Sequence, residues 1–382
     1  FFLGIVEMLL RWRRAQTSLS ANVRRSSHLA HEGKPMREGG YYNQHSPSQR
    51  KGVTSIMDHI AEAARTVSIP EDNKPFRISD LGSSQGSNSI PPVSKIIEVV
   101  RERCPGIPVS VLHNDLPTND FQALFEVVHS RESFTHQFDD VYVAACGQSY
   151  YRPMSPPGDL HFVIALTTLH WAPFTVDFGP TAISERDPSV SHEVREQSKR
   201  LAAESLKGFL LARASECATG GKVVASMVGL PEQQGGGPED YIFELLTLVF
   251  QSMVRDGLMQ PSELARLNFN VHQRSLSEIH DVLGLEPLKK CFRVDNVTNV
   301  LMEHPALEAW REGKISREEY AEAVVASWCA VAEPTWLSVF EAPGDQERAR
   351  EEVPRRLKEM LVSDHGLVSF NWCQNSFVLT KL

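Results

Sequence analysis

The run Asp80-Leu81-Gly82-Ser83-Ser84-Gln85-Gly86 places a carboxylate just before a turn punctuated by two glycines. Glycine has no Cβ, so a turn of this kind lets a ligand come close to backbone N–H groups. Further on, Asn114-Asp115-Leu116-Pro117 closes an apolar run with another acid. A carboxylate at that position can accept both hydroxyls of a ribose in a bidentate, charge-assisted contact. Asp120, in Asn119-Asp120-Phe121, is placed instead to cap a helix carrying Leu124, Phe125 and Val128. A third place is Thr167-Thr168-Leu169-His170-Trp171. His170 there could hydrogen-bond a substrate or act as a base toward an N–H or phenol, with a packed, satisfied histidine as the competing reading. The glycine turn lacks the middle glycine of G-x-G-x-x-G, which suits a pyrophosphate poorly and argues against a dehydrogenase. An ordinary strand-to-helix turn remains the alternative for it. Asp139-Asp140 reads as a solvated acidic pair before a strand.

These residues need elements to hold them. Phe76, Ile78 and Leu81 describe a buried strand leading into the glycine turn. A helix follows, with Pro91 and Pro92 near its start and Val93, Ile96, Ile97 and Val100 at helical spacing. Further strands are predicted at Val109 to His113, Val141 to Ala145, Leu160 to Leu166 and Lys222 to Val228, the first three ending in polar or aromatic clusters. Open parallel sheets bind ligands beyond the carboxyl ends of their strands, so four strand ends would converge on one pocket. Helices are expected at Ile56 to Val67, at Ser191 to Glu216, around Tyr241 to Phe250 and at Arg348 to Val362. Residues from about Pro261 to Phe340 read as helical, without an obvious parallel strand, and are taken as a cap. Val368 to Trp372 and Phe377 to Thr380 read as a closing antiparallel pair. The fold class is α/β, a doubly wound sheet with a mostly helical cap. Its expected divisions are a leader (1–35), a core with an N-terminal cover (36–260), the cap (261–345) and closing core elements (346–382).

Composition narrows the partners. The 382 residues are 41% hydrophobic and 23% charged, ordinary for a globular enzyme able to bury a core. A net charge of -9 argues against nonspecific nucleic-acid binding. No apolar run approaches the roughly 20 residues of a membrane span. Cys104, Cys146, Cys217, Cys291, Cys329 and Cys373 are scattered without a C-x-x-C pair, which points to a reducing compartment and neither a disulfide framework nor a zinc site. The first 35 residues carry six basic side chains and two acids, with several serines. They read as a disordered extension on a cytoplasmic protein, or as a transit-type leader to mitochondrion or plastid.

Met36 to Gln49, Asp80 to Asn88, Asn114 to Phe121, Gln148 to Tyr151 and Leu169-His170-Trp171 fall in the order and spacing of the SABATH family, the salicylate, benzoate and theobromine methyltransferases. Ala330-Val331-Ala332-Glu333-Pro334 also resembles a family segment. The resemblance implies a class I methyltransferase sheet, often a homodimer, using S-adenosylmethionine on carboxylates of small acids or on ring nitrogens of purines. By position it assigns Tyr42 and Ser46 to cofactor contact from the cover, and Asp80, Gly82, Ser83 and Asn88 to the glycine turn. It sets Asp115 and Leu116 on the ribose and adenine side, with Ser149 and Tyr150 flanking adenine. Gln49 and Trp171 would grip the substrate carboxylate through amide and indole N–H donors, with Thr167, His170 and Phe243 around the substrate.

Several positions depart from the family pattern. The cover reads Tyr41-Tyr42-Asn43-Gln44-His45-Ser46 where Ser-Tyr-Ala-x-Asn-Ser is usual. Ser83 replaces a cysteine, Tyr150 a phenylalanine, and Phe243 a tryptophan of the salicylate branch, while Thr167 stands where many members carry an aromatic or other pocket residue. Leu267 occupies the aspartate position of a magnesium site found in some members, so no metal is expected. These differences place the chain away from the plant branch.

A carboxylic acid with a pKa near 4 is already ionised at neutral pH, so it needs no general base. The reaction then asks the protein to desolvate and aim the carboxylate. The leading reading is a carboxyl methyltransferase acting on a small, largely apolar acid. The alternatives are an N-methyltransferase on a heterocycle, using His170 as base, and a catalytically silent ligand-binding relative.

Overall fold

The computed structural model describes residues 33–71, 74–232, 240–363 and 371–382. Residues 1–32 of the leader, the triple glycine at 235–237 and the start of the expected closing pair at 368–370 lie outside the described residues. Seven strands make one sheet: β1 (Phe76–Leu81), β2 (Val109–Asp115), β3 (Val141–Gly147), β4 (Leu160–Ala165), β5 (Cys217–Gly229), β6 (Phe292–Glu303) and β7 (Asn371–Lys381). Their order is β3-β2-β1-β4-β5-β7-β6. The first five run parallel, and β7 lies antiparallel between β5 and β6. The chain winds outward from β1 to β3, then returns to lay β4 on the other side of β1. That reversal opens a crevice between the carboxyl ends of β1 and β4, where sheets of this kind take ligands.

Local sequence explains the elements around that crevice. Phe76, Ile78 and Leu81 are fully buried, as a strand covered on both faces requires. The helix Ile90–Arg103 starts with Pro at its first positions, where a missing N–H costs nothing. Its Val93, Ile96, Ile97 and Val100 are fully buried in a cluster with Phe76, Val109 and Phe162. Asp120 caps the helix Phe121–Val128, accepting from Ala123 N–H at 3.0 Å. Ser191 caps the 25-residue helix His192–Glu216. A second cluster forms where the helices Asp240–Arg255, Arg317–Leu337 and Pro343–Ser363 meet, and Phe250, Val324, Trp336 and Val353 are fully buried in it.

Two expectations are corrected. Residues Phe292–Glu303, within the span read as helical, form the edge strand β6. Only Phe292 and Met302 of this strand are buried, and a register shift between Val294 and Asn296 breaks the two-residue alternation that marks a strand. The expected closing pair is also not two strands. Asn371–Lys381 is one continuous strand, and its antiparallel partners are β5 and β6. Among the described residues, no helix is long and apolar enough to cross a membrane.

Candidate active site

The glycine turn after β1 is a strained piece of backbone held from several sides. Gly82 and Gly86 have φ of 79° and 86°, and Ser84 between them also lies in the left-handed region at 48°. A Cβ on Gly82 would stand 2.4 Å from Thr168 Cγ2, so the turn packs directly on the end of β4. Asp115 ties the turn to β2: one carboxylate oxygen accepts Ser84 N–H at 2.7 Å and the other Leu116 N–H at 2.8 Å. Burial pushes the Asp115 carboxyl up to about 6 despite these two donors. Ser83 turns its hydroxyl to the Asn114 carbonyl, 3.3 Å away.

Asp80 is 4% exposed and faces inward. Its Oδ2 accepts from the Ser89 hydroxyl and lies 3.1 Å from His113 Nδ1. Those bonds give it the task of orienting the turn and the helix that follows. The neighbouring Asn114 donates to the Cys146 and Gln148 carbonyls at 2.9 and 2.8 Å, which sets the path of the chain leaving β3 toward Ser149 and Tyr150. Tyr150 O–H donates to the Thr168 carbonyl at 3.1 Å, and burial holds its phenol well above the usual range. Below it, Arg213 and Glu216 form a fully buried ion pair, and Arg213 donates to the Tyr150 carbonyl at 2.7 Å.

The N-terminal cover lies against the glycine turn. Asn43 spans it, donating to the Gln85 carbonyl at 2.9 Å and accepting from Ser87 N–H at 3.2 Å. Asn88 donates to Ser46 Oγ at 3.1 Å, while its own Oδ1 is buried with no protein partner among the described residues. Ser46 of the cover and Asn88 of the turn are thus brought together. Gln49 follows on the helix Pro47–Ser55, and its Oε1 is likewise buried and unpartnered there.

The end of β4 supplies the other wall. Thr167 sits at φ 56°, uncommon for a β-branched residue, with Oγ1 buried and unpartnered. The Thr168 carbonyl accepts Trp171 N–H at 3.0 Å, and the Trp171 carbonyl accepts the Tyr151 hydroxyl at 3.1 Å. The Trp171 indole N–H makes no hydrogen bond among the described residues. His170 is 7% exposed, and its Nδ1 has no partner among them. Burial, aided by the Arg274 charge, pulls the His170 pKa down to about 3. Arg274 is fully buried and donates to the Leu169 and Ala202 carbonyls, which braces this strand end from behind. Phe243 belongs to the second hydrophobic cluster, its ring 5.8 Å from Phe269 and 5.4 Å from Trp328.

Sequence reasoning missed Ser84, Asn114 and Arg274 as site-building residues. Asn114 adjoins a residue that was singled out, and its position at a strand end was the available signal. Arg274 sits in a polar stretch with no motif to mark it. Gln374 on β7 was also missed: its amide is buried with both polar atoms unpartnered, and it packs against Gly52.

The family model for SAM-dependent carboxyl methyltransferases matches residues 32–371. O-methyltransferase acrG of Aspergillus aculeatus is 26% identical over 320 residues, 79% of this chain and 81% of that protein. Salicylate carboxymethyltransferase of Clarkia breweri is 28% identical over 315 residues, covering 78% and 84% of the two chains. Among solved structures, loganic acid methyltransferase with SAH superposes with a TM-score of 0.75 at 20% identity, over 91% of this chain and 98% of that one, a likeness of fold.

Proposed function

Because the chain belongs to the family of S-adenosylmethionine-dependent carboxyl methyltransferases, we propose that it converts a small, largely apolar organic acid into its methyl ester, aiming the carboxylate with Gln49 and Trp171. The observation that carries this reading is His170. With its pKa near 3 it is neutral at physiological pH and a very weak base. A site without an effective base suits a nucleophile that arrives ionised, and a carboxylic acid does so. A heterocyclic N–H would need a base that His170 does not supply.

The residues around the glycine turn fit the cofactor. Left-handed glycines allow close approach, and the unpartnered oxygens of Ser84 and Asn88 offer it polar contacts. When bound, S-adenosylmethionine supplies a sulfonium methyl group as the electrophile. In this reading Asp115 accepts the ribose hydroxyls, Leu116, Ser149 and Tyr150 flank the adenine, and Tyr42, Ser46, Ser83 and Asn88 line the rest. Gln49 Nε2–H and the Trp171 indole N–H hold the carboxylate oxygens, while Thr167, His170 and Phe243 shape the space around the acid. Neutral donors orient the carboxylate without quenching it, whereas an arginine would stabilise the ground state. Orientation of this kind can contribute roughly 7–11 kcal/mol to lowering the barrier.

The test is methyl transfer from labelled S-adenosylmethionine to a panel of aromatic, indole, isoprenoid and fatty acids with purines included, followed by mild alkali. Label released by alkali from an acid supports the proposal. Alkali-stable label on a purine would overturn it in favour of nitrogen chemistry. Gln49→Leu should lower kcat/KM for the acid about tenfold or more, on the scale of a lost hydrogen bond to a charged group, with the SAH dissociation constant unchanged. Equal loss of both would remove Gln49 from the carboxylate.

A further inference from the structure

The segment Ala330-Val331-Ala332-Glu333-Pro334 has no part in the chemistry above. It lies within the helix Arg317–Leu337, and Pro334 is inside that helix. Proline has no N–H, so the carbonyl four residues earlier, Ala330 O, loses its helical partner. That carbonyl accepts Arg37 N–H at 2.9 Å. One residue before the proline, Glu333 accepts from Arg37 Nη1 at 2.8 Å. The Glu333 side chain is 4% exposed, and its second oxygen lies 3.5 Å from Arg350 on the Pro343–Ser363 helix. The Arg37 guanidinium also lies 3.8 Å over the Tyr41 ring. On its other side Arg37 faces the glycine turn: its carbonyl accepts Gln85 Nε2–H at 2.7 Å, and Gln85 is fully buried.

We infer that Arg37 and the Glu333-Pro334 step form a latch that holds the N-terminal cover closed over the cofactor. Proline frees a carbonyl, glutamate supplies a charge, and Arg37 takes both with its backbone and its side chain. The same residue is bonded to Gln85, the turn residue whose own carbonyl Asn43 holds. Tyr42, Ser46 and Gln49 follow directly along the chain, so the latch fixes where they stand. Glu333 carries the asymmetry that makes the contact specific. A buried carboxylate is costly without a close cation, and Arg350 is more distant than Arg37. Arg37 and Glu333 are positioning residues, since neither is placed against the methyl group or the acid. Cofactor exchange then requires the Arg37 contacts to release.

This inference rests on the reading that the cover contacts the cofactor, and it is independent of which acid is used. The experiment is stopped-flow or surface-based measurement of SAH association and dissociation with the full chain, for wild type, Arg37→Ala, Arg37→Lys, Glu333→Gln and the Arg37→Ala/Glu333→Gln double variant. Arg37→Ala should raise the SAH dissociation rate about tenfold, the scale of one hydrogen bond to a charged group, and leave association within about threefold, as is usual for mutants of one interface. Arg37→Lys should restore most of the slow dissociation. The double variant should match the Arg37→Ala rate, because the two changes remove one contact. A dissociation rate indifferent to Arg37, or independent multiplication of the two effects, overturns the latch. Arg37→Ala leaves the buried Glu333 carboxylate without its near cation and should lower the urea midpoint, while the double variant, with a neutral side chain at 333, should recover most of it; fast dissociation seen only in variants with a lowered midpoint would count as unfolding and against the proposal. If SAH binds and responds to Arg37 while no acid is methylated, the proposed function fails and the latch stands.

Discussion

Asp115 is a structural tie in the fold and, in the proposed function, a pH-sensitive contact to the cofactor. Its oxygens anchor Ser84 and Leu116 N–H groups, yet each oxygen keeps a lone pair for a further donor. Burial raises its carboxyl to about 6, so the proton is held more tightly in the folded protein than in an unfolded chain. The folded state therefore binds more protons between about pH 4 and pH 6, and this group's contribution to stability falls as pH rises through that window. Cofactor binding runs the other way. Ribose hydroxyls are donors and want the ionised carboxylate, so protonation removes the competent form. The apparent SAH dissociation constant should rise about tenfold between pH 7 and pH 5, following the ionised fraction. Isothermal titration across that range checks it, with Asp115→Asn as control: the variant should bind weakly at all pH values, with a flat profile. A wild-type profile that is also flat would remove Asp115 from the ribose.

At the scale of elements, the glycine turn and the end of β4 behave as one unit. Gly82 is glycine for two separate reasons, its left-handed φ of 79° and the Thr168 methyl 2.4 Å from where a Cβ would stand. Gly82→Ala should lose roughly 1–2 kcal/mol to the backbone conformation and about 1–3 kcal/mol to overpacking. Adding Thr168→Ser removes the nearest methyl and should recover part of the second cost but none of the first. Urea midpoints at constant slope measure both. Full stability of Gly82→Ala, or no recovery in the double variant, would show that the turn and β4 are not in close contact. This unit was legible in the sequence because strand, acid and glycines are local signals, and local signals survive in any tertiary setting. The Asp120 cap was legible for the same reason. β6 was not, because its polar edge and register shift erase the alternation from Arg293 to Leu301. The latch was half legible: Glu333-Pro334 could be seen, but its partner lies 296 residues away in the chain and no local pattern joins them.

The whole molecule divides its labour between two hydrophobic clusters. One backs the sheet and holds the glycine turn, Asp115 and the end of β4 in place. The other unites the cap helices and contains Phe243 and Trp336, while Tyr41 of the cover packs against it. The helix Met57–Thr66 belongs to the sheet cluster through Ile60 and Ala64, so the stretch from Tyr41 to Thr66 bridges the two. Away from the Arg37–Glu333 contact, such an arrangement lets the second cluster vary without disturbing the cofactor, and it predicts that acid selectivity and cofactor affinity separate by cluster. Phe243→Leu removes edge-to-face contacts with Phe269 and Trp328 but keeps an apolar side chain. It should lower stability by about 1–3 kcal/mol, the range for two aromatic pairs. It should also shift KM and the order of preference among acids differing in bulk, while the SAH dissociation constant stays within about twofold, as for sites that do not couple. Asp115→Asn should do the reverse, weakening SAH and leaving the order of acids unchanged. Steady-state kinetics on a series of acids of graded size, run beside SAH titration, separates the two effects. If Phe243→Leu lowers stability but leaves every acid's KM and rank in place, Phe243 is cap core alone and the acid is selected elsewhere. If it weakens SAH as much as the acid, the clusters are coupled through the cover, and the bridge from Tyr41 to Thr66 carries that coupling.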